Sequence, residues 1–196
     1  DLAYKPIALP PHTDNPYRKP EAPGIQFLHC LKNEVNGGFS TLVDGFSVAE
    51  YIKLNEPEAF ESLTKTNLRY RFQDKDIILE NWGELIELDK DGDYKQVRYS
   101  TRVDYVPPLE NKKLENFYKA RKLLGDLYTS SNFEIKFKLS PGDVMMFDNH
   151  RLLHGRTSYD SSEGARHLQG CYLEFDSTDG KLRHLHKKYH RSDTSS

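Results

Sequence analysis

The apolar positions fall into short runs separated by turn residues. Gly24-Ile25-Gln26-Phe27-Leu28-His29-Cys30-Leu31 has the length and composition of a buried strand. Asn36-Gly37-Gly38 is a strong turn signal and Ser40 to Val43 a short apolar return, which together predict a hairpin. Ser47 stands ahead of Val48-Ala49-Glu50-Tyr51-Ile52, with Glu50 at the third helical position, so a capping box is expected to open a helix there. Pro57 to Leu63 predicts a second short helix. Residues 67–106 alternate short aromatic or apolar runs with turn signals such as Asp91-Gly92, a pattern of strands joined by hairpins. Leu114, Phe117, Tyr118, Arg121, Leu124 and Leu127 recur at helical spacing. Phe133 to Leu139, Val144 to Phe147 and His167 to Phe175 are strand-like, with Pro141-Gly142-Asp143 as a turn that holds Asp143. Many short strands and a few helices predict a mainly β domain with helical insertions, a β-sandwich or jelly roll. Residues 1–23 are Pro-rich and read as extended segments and turns. No repeat or linker divides residues 1–196, which are expected to form a single domain ending in a solvated basic tail over 181–196.

Composition narrows the classes. The chain has 196 residues, 30% of them charged, and a formal net charge of −2. That balance argues against a nucleic-acid partner, which favours a basic surface. No run approaches the roughly 20 apolar residues that cross a bilayer. The two cysteines, Cys30 and Cys171, lie in apolar strand-like runs and are expected as buried free thiols, which suits the cytoplasm or another reducing intracellular compartment. The sequence opens at Asp1, close ahead of a candidate metal ligand and without Met, so an N-terminal segment is expected to precede it in the full protein.

The chemistry lies in His12-Thr13-Asp14 and in Asn149-His150-Arg151-Leu152-Leu153-His154-Gly155-Arg156. On a strand, alternate residues share a face, so His12 and Asp14 can converge on one ion. Two histidines and a carboxylate on one face of an octahedral iron(II) leave the other face for a co-substrate and oxygen. A lone His-x-Asp triplet is also what a surface loop carries. Arg166 follows twelve residues after His154 and offers a planar fork that matches a carboxylate. The remaining histidines have plainer readings: His29 and His167 as satisfied strand residues, His150 as packing beside the ligand strand, and His184, His186 and His190 as part of the tail.

The chain resembles the iron(II)- and 2-oxoglutarate-dependent dioxygenases of the taurine-dioxygenase type, and within them the γ-butyrobetaine and trimethyllysine hydroxylase branch. The residues that carry this are Asp1-Leu2-Ala3-Tyr4, His12-Thr13-Asp14, Pro23 to Cys30, Gly37-Gly38, Leu42 to Phe46, Pro141 to Val144, Asn149 to Arg156 and Arg166 to Tyr172. The resemblance implies a double-stranded β-helix, cupin-like, without the branch's small N-terminal domain. It implies His12, Asp14 and His154 as iron ligands and Arg166 as the anchor for the far carboxylate of 2-oxoglutarate. Ser40 matches a hydroxyl that helps hold that carboxylate, and Leu28 an apolar wall of the co-substrate pocket. The implied reaction consumes dioxygen and 2-oxoglutarate to hydroxylate an unactivated C–H bond, with ascorbate as a stimulant and a homodimer as the common assembly.

Substrates of that branch carry a quaternary ammonium group, which favours aromatic faces. Tyr4 and Tyr172 match such cage positions. Asn15 stands where an aromatic can complete the cage, and Asp1 where an asparagine can approach the substrate. Tyr99-Ser100-Thr101-Arg102 replaces the paired asparagines that reach the anionic end in relatives. Arg102 suits a carboxylate or a phosphonate, or is a solvated hairpin arginine. The expected substrate is a small zwitterion. The rival expectations are an amino- or trimethylammonio-phosphonate substrate, a truncated non-catalytic relative, and a metal-binding storage or sensor protein without 2-oxoglutarate affinity.

Overall fold

The computed structural model describes residues 5–189. It runs β1 (Leu9–His12), β2 (Ile25–Asn33), β3 (Ser40–Asp44), α1 (Gly45–Asn55), α2 (Pro57–Lys65), β4 (Leu68–Gln73), β5 (Ile78–Gly83), β6 (Ile86–Leu88), β7 (Tyr94–Val97) and β8 (Asp104–Tyr105). It continues with α3 (Asn111–Tyr128), β9 (Glu134–Phe137), β10 (Val144–Asp148), β11 (Leu152–Arg156), β12 (Arg166–Leu173) and α4 (Phe175–Tyr189). Mainly β with helical insertions is therefore the observed class.

Two antiparallel sheets carry the architecture. One is four-stranded in the order β1-β11-β3-β9, and the other three-stranded in the order β10-β2-β12. Cys30, Met145 and Phe147 from the second sheet pack with Leu42, Phe137 and Leu152 from the first, so an apolar layer lies between them. Strand alternation then sorts the side chains. Leu42 and Leu152 face that layer, while their neighbours Val43 and Leu153, both essentially inaccessible, join Val48, Ile52, Phe117 and Leu124 of the helices. The four-stranded sheet is thus covered on one face by strands and on the other by helices. Residues 68–105 form two smaller sheets, β5-β4-β8 and β6-β7.

Three expectations need correction. β2 and β3 are not a hairpin, because they belong to different sheets and Asn36-Gly37-Gly38 carries the chain between them. Gly38 has φ +69°, and a Cβ there would lie 2.8 Å from Nε of Arg166. The glycine therefore serves a crossing that lets a guanidinium lie against backbone. The cap of α1 is Asp44, not Ser47: its carboxylate accepts from the backbone N–H groups of Phe46 and Ser47 and pairs with Arg151. Glu50 instead accepts from the Tyr94 hydroxyl at 2.6 Å. Cys171 is exposed, unlike Cys30, although both are free. The start of the basic tail, as far as Tyr189, is exposed as expected, and it is helical, with no buried residue along α4; His190 lies outside the described residues. His150 does pack, with Nε2 2.7 Å from the Ala22 carbonyl oxygen and its ring edge-on to Phe175.

Because Asp44 caps α1 and anchors it to β11 through Arg151, Asp44→Ala is expected to destabilise the fold by about 1–2 kcal/mol. Ser47→Ala is expected to cost less than half of that. Urea denaturation of the two variants measures both, and the reverse ranking would restore the capping box.

Candidate metal centre

β1 is the edge strand of its sheet, a place where Pro10 and Pro11 are tolerated because only one side of the strand is paired. It pairs with β11 so that Leu9 faces Arg156 and His12 faces His154, with a register shift between the two pairs. Gly155 permits this approach: a Cβ there would stand 2.6 Å from the Leu9 carbonyl oxygen. The imidazole centroids of His12 and His154 come within 4.4 Å.

Asp14 completes the cluster by a different route from the one expected. β1 ends at His12, and Asp14 lies in a bend rather than two residues along a strand. The buried Asn149 side chain holds that bend, accepting from the Asp14 N–H at 2.8 Å and donating to its carbonyl oxygen at 3.0 Å. The carboxylate then meets both rings, Oδ1 at 3.4 Å from His12 Nε2 and Oδ2 at 3.6 Å from His154 Nε2. Among the described residues, this is the one group of three or more metal-ligating side chains whose donor atoms all lie within 4.8 Å of one another.

Electrostatics favour a cation there. Burial raises the Asp14 pKa, but the hydrogen bond from His12, the charges of His154 and His12 and the Tyr172 hydroxyl together hold it well below the carboxylate range. Burial is the main cause that lowers the His154 pKa to about 3, aided by His12 and opposed by Asp14, so the ring stays neutral with a lone pair to offer. His12 Nδ1 lies 2.9 Å from the Pro10 carbonyl oxygen, which fixes the tautomer that leaves Nε2 free to ligate. Two neutral imidazole nitrogens and one ionised carboxylate are the donor set of a facial iron(II) site.

Of the other expected residues, Tyr172 touches the cluster and Arg102 acts on it by charge. Tyr172 donates its hydroxyl to Asp14 Oδ2 at 2.6 Å, so it touches the ligand carboxylate directly. Ser40 is buried on β3 opposite Arg156, and Leu28 packs in the layer between the sheets. Arg166, half-buried, donates weakly to the Gly38 carbonyl oxygen at 3.3 Å and lies over the Tyr159 ring. Its buried Nε has no partner, and it makes no ion pair among the described residues. Burial first, then the charge of Arg156, lowers its pKa, so the site holds positive charge that an anion would relieve. Arg102 is exposed, yet close enough for its charge to act on His154. Asn15, at φ 55°, is occupied by the Tyr17 hydroxyl, which donates to Oδ1 at 2.6 Å. Asp1 and Tyr4 lie outside the described residues.

Sequence reasoning missed Gln26 and Tyr17. Gln26 Nε2 donates to Asp14 Oδ2 at 3.0 Å. The signal was present, since Gln26 alternates with Leu28 and Cys30 and so shares their inward face.

Comparison with known proteins fits this geometry. A sequence profile described as taurine catabolism dioxygenase TauD, TfdA family matches residues 1–172. The chain belongs to that family. Its TauD/TfdA relatives include the gamma-butyrobetaine dioxygenase of Homo sapiens, 37% identical over 193 residues that cover 96% of this chain and 50% of the relative. They also include the gamma-butyrobetaine dioxygenase of Pseudomonas sp. strain AK-1, 34% identical over 174 residues, covering 89% of this chain and 45% of that one. The mitochondrial trimethyllysine dioxygenase of Bos taurus is 35% identical over 189 residues, with 90% and 42% covered. The chain thus spans about half the length of the relatives it matches. In fold it is similar to asparagine oxygenase in complex with Fe(II), 3-hydroxyasparagine and succinate, at TM-score 0.67 and 18% identity, covering 86% of this chain and 50% of the other. It is also similar to AAD-2 in complex with Mn(II) and N-oxalylglycine, at TM-score 0.64 and 17% identity, covering 83% and 67%.

His154→Ala is expected to abolish metal binding, whereas Tyr172→Phe, which removes only a hydrogen bond to a ligand, is expected to weaken it about tenfold. Titration with Mn(II) followed by electron paramagnetic resonance measures both. Full-strength binding by His154→Ala would remove His154 from the site.

Proposed function

We propose that this chain is the catalytic part of an iron(II)- and 2-oxoglutarate-dependent hydroxylase acting on a small quaternary-ammonium or amino zwitterion. The observation that carries the reading is the His12–Asp14–His154 cluster, together with an Arg166 guanidinium that has no anionic partner among the described residues. The family and the names of the relatives, gamma-butyrobetaine and trimethyllysine dioxygenases, support the substrate class. The two facing sheets fit the halves of a double-stranded β-helix, and the likeness in fold to solved oxygenases supports that assignment.

Iron(II) held by His12, Asp14 and His154 would supply the oxidising chemistry, in which dioxygen gives one oxygen atom to 2-oxoglutarate, leaving succinate and carbon dioxide, and the other to the substrate C–H as a hydroxyl. The protein's own part is placement. Pro10 and Asn149 fix the His12 ring and the Asp14 backbone. Tyr172 and Gln26 both bond Asp14 Oδ2, which orients the carboxylate. Arg166 offers its fork to the far carboxylate of 2-oxoglutarate, with Ser40 beside it and Leu28 as an apolar wall. Leu42, Ser40 and Gly38 lie in order along one chain segment, opposite His154, opposite Arg156 and against Arg166 respectively. Arg102 suits the anionic end of the substrate, and the rings of Tyr172 and Tyr17 suit its cationic end.

Succinate release from γ-butyrobetaine or trimethyllysine is expected to require added iron(II) and to vanish with chelator. Arg166→Ala is expected to weaken 2-oxoglutarate binding about a hundredfold, and Arg166→Lys to recover only part of it, because an ammonium cannot make the bidentate contact. Unchanged co-substrate affinity in Arg166→Ala would overturn the assignment.

A further inference from the structure

Thr13 stands between His12 and Asp14 and is 2% exposed. Both backbone polar groups of Tyr99 end on it. The Thr13 N–H donates to the Tyr99 carbonyl oxygen at 3.0 Å, and the Tyr99 N–H donates to Thr13 Oγ1 at 3.0 Å. Tyr99 lies just beyond β7, so its N–H meets a hydroxyl instead of a ladder carbonyl. Tyr99 is a well-held partner. Its ring meets that of Tyr128 of α3 edge to face at 5.0 Å, and a Cβ on Gly125 would stand 2.7 Å from its hydroxyl. The two residues before it are held as well. The Arg98 N–H donates to the Leu85 carbonyl oxygen at 2.9 Å, and the Val97 N–H to the His150 carbonyl oxygen at 2.8 Å. His150 follows Asn149, whose side chain grips the Asp14 backbone. These bonds close a ring that runs from Thr13 to Tyr99, from Val97 to His150, and from Asn149 back to Asp14. Two ligands border the ring at Thr13, and the third, His154, follows it into β11.

We propose that Thr13 is a positioning residue of the metal centre: its hydroxyl closes this ring and thereby fixes how Asp14 follows His12. The proposal rests on the reading of His12, Asp14 and His154 as metal ligands, and it makes the middle residue of the triplet a requirement. β1 ends at His12, so no ladder sets the backbone at Thr13 and Asp14. What sets it is one anchor at each of the two residues, Tyr99 for Thr13 and Asn149 for Asp14. Ligands keep a productive geometry only when such supports hold them. Threonine meets the demand in one residue. Its branched Cβ suits the extended chain that leaves a strand, and its hydroxyl supplies the acceptor. Valine has the first property and lacks the second, whereas serine keeps the acceptor.

The test measures Mn(II) affinity by electron paramagnetic resonance in the unaltered protein, Thr13→Val and Thr13→Ser, with urea denaturation of the metal-free forms alongside. Thr13→Val leaves the Tyr99 N–H without its acceptor and is expected to bind Mn(II) about tenfold more weakly. Thr13→Ser is expected to bind as the unaltered protein does. Asp44→Ala, destabilised at the cap of α1, is the control for a general loss of stability and is expected to keep full Mn(II) affinity. Undiminished affinity in Thr13→Val overturns the proposal. An equal loss in Thr13→Ser overturns it too, because the hydroxyl would then not be the cause, and so does an equal loss in Asp44→Ala. Should Thr13→Val not fold, Thr13→Ala removes the same hydroxyl and is read in the same way. Failure of the unaltered protein to bind Mn(II) would instead overturn the metal-centre reading itself, and this proposal with it.

Discussion

The pairing of β1 with β11 is the constraint on which the candidate centre depends. It sets His12 opposite His154. The pairing needs a register shift through Pro10 and Pro11 and a residue without a side chain at Gly155. It also needs β1 to be an edge strand, because two consecutive prolines would break a central one. Once it forms, Asp14 is delivered by the bend that follows, and Asn149, just beyond β10, closes that bend from the other sheet. The ligand cluster is therefore a point where both sheets are tied together.

Strand alternation converts this one contact into a pocket. His154 and Arg156 share a face with Leu42 and Ser40, while Val43 and Leu153 point away into the helical core. A slip of one residue in β11 would bury an imidazole among apolar side chains and turn Leu153 toward the site. The apolar face toward α1 and α3 opposes that slip. The same alternation on β2 and β12 turns Gln26, Leu28 and Tyr172 inward. The helices thus act on the site indirectly, by fixing the register of the strands that bear it.

What the sequence made legible follows the range of each signal. Local periodicity sufficed for the helices α2 and α3 and for most strands, because each is set by neighbours a few residues away. The triplet His12-Thr13-Asp14 and the run ending in His154 were legible as donor types, and their meeting required only that distant strands pair. Three features were not legible. Gly37-Gly38 looked like a hairpin turn, since a glycine that makes room for Arg166 is indistinguishable in sequence from one that makes a tight turn. Ser47 looked like a cap because the competing acceptor, Asp44, lay inside an apparent strand and is held by the distant Arg151. Thr13 looked like the free middle position of the triplet, and only its bonds to Tyr99 in three dimensions set it apart.

Charge balance links these parts. Asp14 is ionised and His154 is neutral, so the ligand set brings about one negative charge to a site that a divalent ion would overcompensate. Arg156 and Arg166 lie over the same ring, Tyr159, at 5.1 and 5.4 Å, and burial, then the charge of Arg156, lowers the pKa of Arg166. Two guanidiniums held that close in a half-buried place are an arrangement a fold avoids unless an anion joins them. Under the proposed function, a dianion such as 2-oxoglutarate would offer one carboxylate to the ion and the other to Arg166, and so relieve both excesses at once.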